Sequence, residues 1–180
     1  LIYISGIYIS SKRKINLKSE ITMTIKGVGE QNILYDYFED LPDEIYVNGN
    51  YKTNKVNKIG DLIENENIIK LIWNTPLTNL NFMFAYLSNI MNIDFTKFDT
   101  SGVTEMEGMF LNCFSITSLD LSNFKTSSVT NMQYVFYNCY SLIYLDITSF
   151  VTSKVTSIYF LFYNCSSLTS LDLSFFDTNR

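Results

Sequence analysis

Residues 103–128 read VTEMEGMFLNCFSITSLDLSNFKTSS, and residues 129–154 repeat the same pattern as VTNMQYVFYNCYSLIYLDITSFVTSK. One more unit of equal length precedes this pair from Leu77, and another follows it from Val155. Four units of 26 residues therefore occupy residues 77–180 without a gap. Self-similarity at one fixed period is the signature of a repeat architecture in which each unit packs against its neighbours.

The first half of each unit has the spacing of an amphipathic helix. In the third unit, the apolar residues of this half are Val129, Met132, Val135, Phe136 and Cys139. They would share one face of a helix. In the second and third units, a threonine followed three residues later by Glu or Gln forms a capping-box pattern. The sequence therefore predicts one helix per unit.

The second half of each unit predicts a short β-strand. In residues 118–122, Leu119 and Leu121 alternate with Asp120 and Ser122, so the leucines would face the core. The pattern L-x-x-L-D-L resembles the strand core of leucine-rich repeats. One helix and one strand cannot bury their apolar faces alone, so we expect the units to stack. The predicted fold is an α/β leucine-rich-repeat-like solenoid with a parallel strand ladder, behind a β-rich N-terminal cap.

The recurring motif also resembles a known family. Its pattern is M-F-x-N-C-x-S-L-x-x-L-D-L-S-x-F-x-T-S-x-V-T, with cysteines at Cys113, Cys139 and Cys165. The length and the cysteine resemble the cysteine-containing class of leucine-rich repeats, and more specifically the BspA-like surface proteins, over residues 77–180. Members of that family are adhesins and antigens of bacteria and microbial eukaryotes. The resemblance implies a secreted or cell-surface binding protein that engages host, matrix or other protein partners.

Phenylalanines mark a departure from ordinary leucine-rich repeats. Phe98, Phe124, Phe150 and Phe176 stand near the place where an Asn or Cys usually ends the strand. Since they recur once per unit, we expect them to stack as an aromatic spine.

Residues 1–76 lie outside the repeat and are predicted to form a β-rich cap. Residues 20–27, 43–52 and 67–74 alternate as strands, with Asn48-Gly49 as a turn. Residues 33–41 are predicted to form a short helix. We expect this segment to cover the first repeat through a strand at residues 68–73. The alternative is a separate functional module.

The two ends of the chain carry further expectations. Residues 1–14 start with LIYISGIYIS and end in a basic stretch, which fits the remnant of a signal peptide or membrane anchor. An ordinary first β-strand fits the apolar part equally well. Residue 180 completes a repeat with no polar cap after it, so we expect the natural protein to continue.

Composition argues against several functions. The net charge of −5 and the absence of a basic stripe argue against a nucleic-acid partner. The chain has no histidine, which removes the commonest general base and zinc ligand, and no Gly-rich phosphate loop. We expect no catalysis, cofactor, metal or small-molecule substrate. Membrane contact is expected only through a segment at the edge of this chain or outside it.

The cysteine column is expected to be buried. Leu87 occupies the place of the cysteines in the first unit, which indicates an apolar environment. Neighbouring cysteines would lie about 5 Å apart in stacked repeats, within reach of a disulfide. Their odd number and parallel arrangement favour free thiols over a disulfide or a metal site.

Two sets of residues are candidates for binding. Aspartates hold the outward position of every strand and would form a column of like charges about 5 Å apart. Either neighbouring N–H and hydroxyl groups satisfy these carboxylates, or the column binds a cation or other ligand. The four residues are Asp94, Asp120, Asp146 and Asp172.

Aromatic residues form the second set. Tyr134, Tyr137, Tyr159 and Tyr163 fall off the apolar stripe together with Phe160, and Tyr144 falls on the strand face beside Asp146. Aromatic enrichment on a surface is typical of protein interfaces. The alternative is packing of broad rings between repeats. A binding protein at the cell surface is therefore our first hypothesis, and an intracellular interaction scaffold is the second, since no paired disulfide requires an oxidising compartment.

Overall fold

The computed structural model describes residues 18–177, so the possible signal or anchor remnant at residues 1–14 and the end of the last repeat lie outside the described residues. Within the described part the chain forms strands and turns, with no helix. The nine strands are β1 Ser19–Lys26, β2 Gly29–Asn32, β3 Glu44–Val47, β4 Asn50–Thr53, β5 Lys58–Leu62, β6 Glu66–Trp73, β7 Ile90–Lys97, β8 Ser118–Asp120 and β9 Tyr144–Asp146.

An antiparallel sheet of five strands, in the order β4-β3-β6-β1-β7, holds the N-terminal segment together. Ile21, Met23 and Ile25 of β1 are at most 1% exposed and alternate with residues of the other face. The predicted strands at residues 20–27, 43–52 and 67–74 are confirmed. Asn48 and Gly49 both have positive φ angles, 50° and 82°, which join β3 to β4 as the paired left-handed turn favoured in hairpins.

Two predictions for this segment are wrong. Residues 33–41 form no helix: the N–H of Phe38 donates to the carbonyl of Tyr35 and the N–H of Leu41 to that of Glu39, whereas a helix would direct each to the residue four positions earlier. The strand next to the first repeat is β1 and not residues 68–73, because β6 lies between β3 and β1. Strand β7 belongs to the first repeat, so the cap and the first repeat share one sheet.

The predicted α/β leucine-rich-repeat-like solenoid is also wrong. The described residues contain no helix, and their largest sheet is antiparallel. Parallel pairing is limited to β8 with β9, three residues each, and to isolated bridges that link Asn79, Glu105, Asn131 and Ser157. The protein is therefore an all-β protein in which turns replace the expected helices.

The backbone of each repeat explains why no helix forms. Counting Leu77, Val103, Val129 and Val155 as position 1, the φ angle is positive at positions 6 and 10 of every repeat, between 53° and 64°. Left-handed residues interrupt a right-handed helix. The residues at position 6 are Phe82, Gly108, Tyr134 and Phe160, and those at position 10 are Tyr86, Asn112, Asn138 and Asn164.

Backbone hydrogen bonds in the first half of each repeat are of two kinds, those to the next repeat and those within a local turn. The N–H of Phe136 donates to the carbonyl of Leu161 in the next repeat at 3.0 Å. The N–H of Cys139 instead donates to the carbonyl of Phe136 and closes a turn within its own repeat. The capping pattern is not used either, since the N–H of Gln133 donates to the side chain of Asn131 at 3.0 Å and not to the hydroxyl of Thr130. Consecutive repeats are thus joined by backbone hydrogen bonds that a helix would have kept for itself.

The strand half of the repeat is confirmed in the first three repeats, whereas residues 168–172 of the fourth form no strand. Leu119 and Leu121 are buried, whereas Asp120 and Ser122 are exposed. Within the predicted spine, the ring of Phe124 contacts those of Phe98 and Phe150, at centroid distances of 6.2 Å and 6.4 Å. A second spine at position 8 is more regular, with centroid distances of 5.5–5.8 Å and nearly parallel rings. Its members are Phe84, Phe110, Phe136 and Phe162.

Candidate binding surfaces

Five aromatic side chains of the last two repeats form one continuous cluster, which we call the aromatic patch. The rings of Tyr137 and Tyr163 are stacked at 4.9 Å with an interplanar angle of 14°. Phe160 contacts both of them and also Tyr159, at centroid distances of 4.0–6.0 Å. Tyr134 completes the patch, 5.8 Å from Tyr159 and 5.9 Å from Phe160. The structure therefore brings together the four predicted tyrosines of this set.

The packing alternative raised by the sequence applies to this patch. The rings do pack between repeats, but packing leaves much of their surface in solvent. Tyr159, Phe160 and Tyr163 are 55%, 41% and 50% exposed. The patch consists of four tyrosines and one phenylalanine, so it presents rings and hydroxyl groups and contains no acidic or basic side chain of the Asp, Glu, Lys or Arg type.

The backbone beneath the patch holds it in an unusual conformation. Tyr134 and Phe160 have φ angles of 56° and 53°. A left-handed conformation at a bulky residue costs about 1–3 kcal/mol and persists only where the surrounding structure enforces it. A cross-repeat hydrogen bond enforces it at Tyr134, whose N–H donates to the carbonyl of Tyr159 at 3.0 Å, and a local bond from the N–H of Tyr163 to the carbonyl of Phe160 closes the turn at Phe160. The rings are therefore presented by a fixed scaffold.

Tyr144 lies apart from the patch, on the strand face. Its hydroxyl is 3.4 Å from a carboxylate oxygen of Asp146, and its side chain is 53% exposed. The negative charge of Asp146 raises the pKa of Tyr144, with smaller contributions from desolvation and Asp120. Tyr144 thus belongs with the aspartate column and not with the other tyrosines.

The aspartate column is satisfied by local donors. The Oδ1 atom of Asp146 accepts the N–H of Thr148 at 3.0 Å and its hydroxyl at 2.7 Å. The Oδ1 atom of Asp120 accepts the same two groups of Ser122, at 3.0 Å and 2.6 Å. Backbone N–H groups two residues on also donate to Asp94 and Asp172, at 2.8 Å and 2.9 Å. This is the arrangement that the sequence offered as the alternative to a ligand site.

These bonds stabilise the charged form of the carboxylates. Hydrogen bonds from Thr96 lower the pKa of Asp94, those from Thr148 lower the pKa of Asp146, and those from Ser174 do the same for Asp172. Asp120 and Asp146 lie directly opposite each other in the parallel pair β8–β9. Asp94, Asp146 and Asp172 therefore keep their charge to a lower pH than an ordinary aspartate does.

The cysteine column is also regular, and its thiols are free. The thiol of Cys139 donates to the carbonyl of Phe110 at 3.1 Å, and Cys113 and Cys165 make the equivalent bond to the repeat before them. Burial raises the pKa of Cys139 to about 12 and that of Cys165 to about 11. Each thiol therefore stays protonated at neutral pH and links neighbouring repeats.

Sequence reasoning missed a second aromatic group at the other end of the repeats. The ring of Tyr35 is stacked on that of Tyr86 at 5.8 Å and lies 6.2 Å from Phe82 and 5.5 Å from Tyr37. Tyr37 and Tyr86 are 81% and 56% exposed. Phe82 and Tyr86 belong to the first repeat, whereas Tyr35 and Tyr37 lie before it. The repeat period therefore gave no basis for predicting that these residues meet.

Asparagines at position 10 were also missed. The side-chain amide of Asn138 donates to Asn112 at 2.8 Å, and that of Asn164 donates to Asn138 at 3.0 Å. Their recurrence in the sequence was visible, and Asn is among the residues that best tolerate a left-handed backbone. The ladder fixes the register of one repeat on the next.

The described part of the chain contains neither a metal-binding cluster nor a membrane-spanning helix. No group of three or more Cys, Asp or Glu side chains there is arranged to hold a metal ion. Among residues 18–177, no helix is long and apolar enough to cross a membrane.

Fold and surface together define an all-β repeat protein with exposed aromatic groups and an acidic strand face. Comparison of the sequence with known protein families then identifies the family to which the chain belongs. The family described as "Mycoplasma protein of unknown function, DUF285" matches residues 34–117 and again residues 78–180. These matches cover well over half of the chain, which therefore belongs to this family. No curated protein and no solved structure matches the chain.

Proposed function

We propose that this protein is a non-catalytic binding protein that engages a protein partner through the aromatic patch. The observation that supports this most directly is the exposure of Tyr159, Phe160 and Tyr163 on a scaffold that fixes their backbone. Large, rigid rings at a surface supply contact area with little loss of conformational entropy on binding. Interfaces are enriched in aromatic residues and depleted of charge at their centre, as this patch is.

A secreted or cell-surface location is part of the proposal and has a separate basis. It rests on the resemblance of residues 77–180 to BspA-like adhesins and antigens. Host or matrix proteins are the class of partner that this resemblance suggests. Protease treatment of intact source cells tests the location. Release of peptides of this chain from unbroken cells supports it, whereas protection until lysis contradicts it and favours an intracellular scaffold.

Binding is tested with a matched pair of tyrosine variants. Tyr163→Ser removes a ring that is 50% exposed and stacked on Tyr137 at 4.9 Å. Tyr140→Ser removes a ring outside the patch that is 41% exposed and stacked on Phe114 at the same distance. Both substitutions delete one stacked ring pair; Tyr163→Ser also deletes the contact with Phe160 at 5.0 Å, and it alone affects the patch.

The assay is surface-plasmon resonance of the purified chain on immobilised extracellular-matrix proteins, alongside flow cytometry on intact cells. We expect Tyr163→Ser to weaken binding by at least about tenfold, as expected for a residue at the centre of an interface. Tyr140→Ser should leave binding unchanged. Equal losses for the two variants, or no binding of the unmodified chain to any of these surfaces, would contradict the proposal.

A further inference from the structure

Rings stand on both sides of the second repeat. The third repeat has Tyr134 and Tyr137 at positions 6 and 9, where the second repeat has the smaller residues Gly108 and Leu111. The second repeat is therefore a low saddle between two sets of rings. The set on its other side consists of Tyr35, Tyr37, Phe82 and Tyr86. These four residues, the saddle and the two tyrosines of the third repeat together form a surface that we name the aromatic tract.

Phe82 reaches into the saddle. Its ring occupies the space that a side chain at position 108 would need, since a Cβ built on Gly108 would lie 2.5 Å from two of its ring atoms. Parallel bridges join successive repeats at position 3, so the repeats are stacked at the spacing of paired strands. Phe82 and Tyr134 hold the same position two repeats apart, which corresponds to about 9.6 Å between their backbones.

A carboxylate without a basic partner lies beside the saddle. Phe82 donates its N–H to the carbonyl of Glu107 at 2.7 Å. Tyr134 makes the same bond to Tyr159, and there the two side chains are in contact, so Glu107 stands beside Phe82 in the place of a further ring. Its Oε2 atom accepts the side-chain amide of Asn131 at 2.9 Å, and among residues 18–177 it forms no salt bridge with Lys or Arg.

The charge of this surface has one sign. The first halves of the four repeats contain two glutamates and no Lys or Arg. A partner that crosses the saddle therefore meets negative charge at Glu107 and uncharged rings on either side of it. Aromatic rings also attract cations to their faces. The complementary partner is a segment with apolar groups on both sides of a positive charge.

The spacing of the rings selects the conformation of that segment. A polyproline II helix completes a turn in three residues over about 9.3 Å and leaves its carbonyl groups without internal hydrogen bonds. This length matches the separation of alternate repeats, so prolines three residues apart would meet rings of the first and third repeats. Tyr37 and Tyr86, which are 81% and 56% exposed, offer hydroxyl groups that can donate to the free carbonyls. Grooves lined by aromatic residues are the usual receptors for such helices.

From these features we propose that the aromatic tract binds a proline-rich segment of the partner protein in the polyproline II conformation, with an arginine or lysine held at Glu107. Prolines three residues apart pack on the rings of the first and third repeats. The basic side chain crosses the saddle, pairs with Glu107 and lies against the ring of Phe82. This inference rests on the proposed binding function and adds the chemistry of the partner.

Isothermal titration calorimetry of the full chain with synthetic peptides tests the proposal. The probe contains four repeats of Pro-Pro-Arg. One control contains four repeats of Gly-Gly-Arg, which keep the positive charge and lose the polyproline conformation. The other contains four repeats of Pro-Pro-Glu, which keep the conformation and reverse the charge. We expect saturable binding of the probe and of neither control.

Three variants of the chain locate the site. Tyr86→Asn introduces the residue that the other three repeats have at position 10, so the left-handed backbone is retained and only the ring is lost. We expect it to weaken binding of the probe by at least about tenfold. Glu107→Gln should weaken binding about threefold, as for one partly exposed ion pair. Glu64→Gln removes the same charge from the exposed loop between β5 and β6, outside the tract, and should leave binding unchanged.

The inference would be overturned by a probe that does not bind, by equal binding of the glycine peptide, or by equal losses in Glu64→Gln and Glu107→Gln. The last two results would leave overall charge as the cause of binding. The Tyr163→Ser assay on matrix proteins does not involve these peptides. Success of that assay without binding of the probe would remove the polyproline partner and leave the proposed function standing, and the reverse result would remove the matrix partners and support the inference.

Discussion

Phe136 provides a direct test of how the repeats are held together. Its ring is 0% exposed and lies between those of Phe110 and Phe162, at centroid distances of 5.8 Å and 5.5 Å and with interplanar angles of 5° and 2°. Phe162 occupies the same position one repeat later, but it is only partly buried and has one spine neighbour. Substitution by alanine at both positions thus compares the same side chain in a closed and an open layer.

The expected magnitudes follow from these environments. Replacing a fully buried phenylalanine by alanine lowers the free energy of unfolding by about 3–5 kcal/mol, through lost burial and the cavity that remains. Contacts between rings contribute about 0.5–1.5 kcal/mol each within that total. Phe136→Ala loses two such contacts and Phe162→Ala loses one. Because solvent also fills the space at the open face, we expect about half the effect for Phe162→Ala, roughly 2 kcal/mol.

Urea unfolding at pH 7 under reducing conditions measures both values. Far-ultraviolet circular dichroism follows the whole chain, and fluorescence of the single tryptophan, Trp73, follows the N-terminal sheet. Coincident transitions by the two probes would justify a single free energy of unfolding. A loss for Phe162→Ala as large as that for Phe136→Ala, or a loss below about 1 kcal/mol for Phe136→Ala, would refute the closed-layer and open-layer distinction.

Four further tests address other parts of the structure. Gly108→Ala should lower the melting temperature by an amount corresponding to about 1–2 kcal/mol or more, because φ is +58° and an added Cβ would lie 2.5 Å from the ring of Phe82. The control Gly102→Ala should be nearly neutral, since the nearest atom to its Cβ would be 3.5 Å away. Equal shifts in melting temperature for the two variants would contradict this prediction. The raised pKa of Cys139, about 12, predicts that its contribution to stability is present below the ordinary thiol value near 8.5 and is lost as pH rises toward 12. Urea unfolding from pH 7 to pH 11 should show that loss, and an unchanged slope in Cys139→Ala would argue against it. The lowered pKa of Asp146 predicts stability that is present above about pH 3.9 and is lost as pH falls through the folded value, so Asp146→Asn should weaken the acid dependence of unfolding. Millimolar calcium should leave the melting temperature unchanged, since local donors already satisfy the column, and a clear rise would instead identify a cation site.

The main error of the sequence reasoning has a specific cause. Apolar residues at positions 1, 4, 7, 8 and 11 fit one face of a helix, but they fit a series of tight turns equally well. The turns repeat every three or four residues, as in the local bond from the N–H of Cys139 to Phe136. Gly108 and the asparagines Asn112, Asn138 and Asn164 were the available signal for left-handed positions. Aromatic residues at position 6 hid this signal, because they rarely adopt that conformation.

The candidate binding residues show a similar limit. Recurrence in the sequence placed the aspartates on the outward face of the strands and indicated their local partners correctly. It also placed Tyr144 on the strand face beside Asp146, but it did not show that the other four tyrosines meet in one patch. The contact of Tyr35 with Tyr86 of the first repeat could not be predicted from the 26-residue period, because Tyr35 lies outside the repeats.

The sequence by itself determined that the second half of the chain is a repeat of 26 residues, which residues are buried and which strand positions face solvent. These properties follow from hydrophobic periodicity, which is local and is the same in every repeat. Tertiary structure decided that turns form instead of helices, that β1 covers the first repeat, and that the tyrosines of the last two repeats meet in one patch. The physical reason is that alternate backbone N–H groups find better partners in the next repeat than within their own, and this choice exists only once the repeats are stacked.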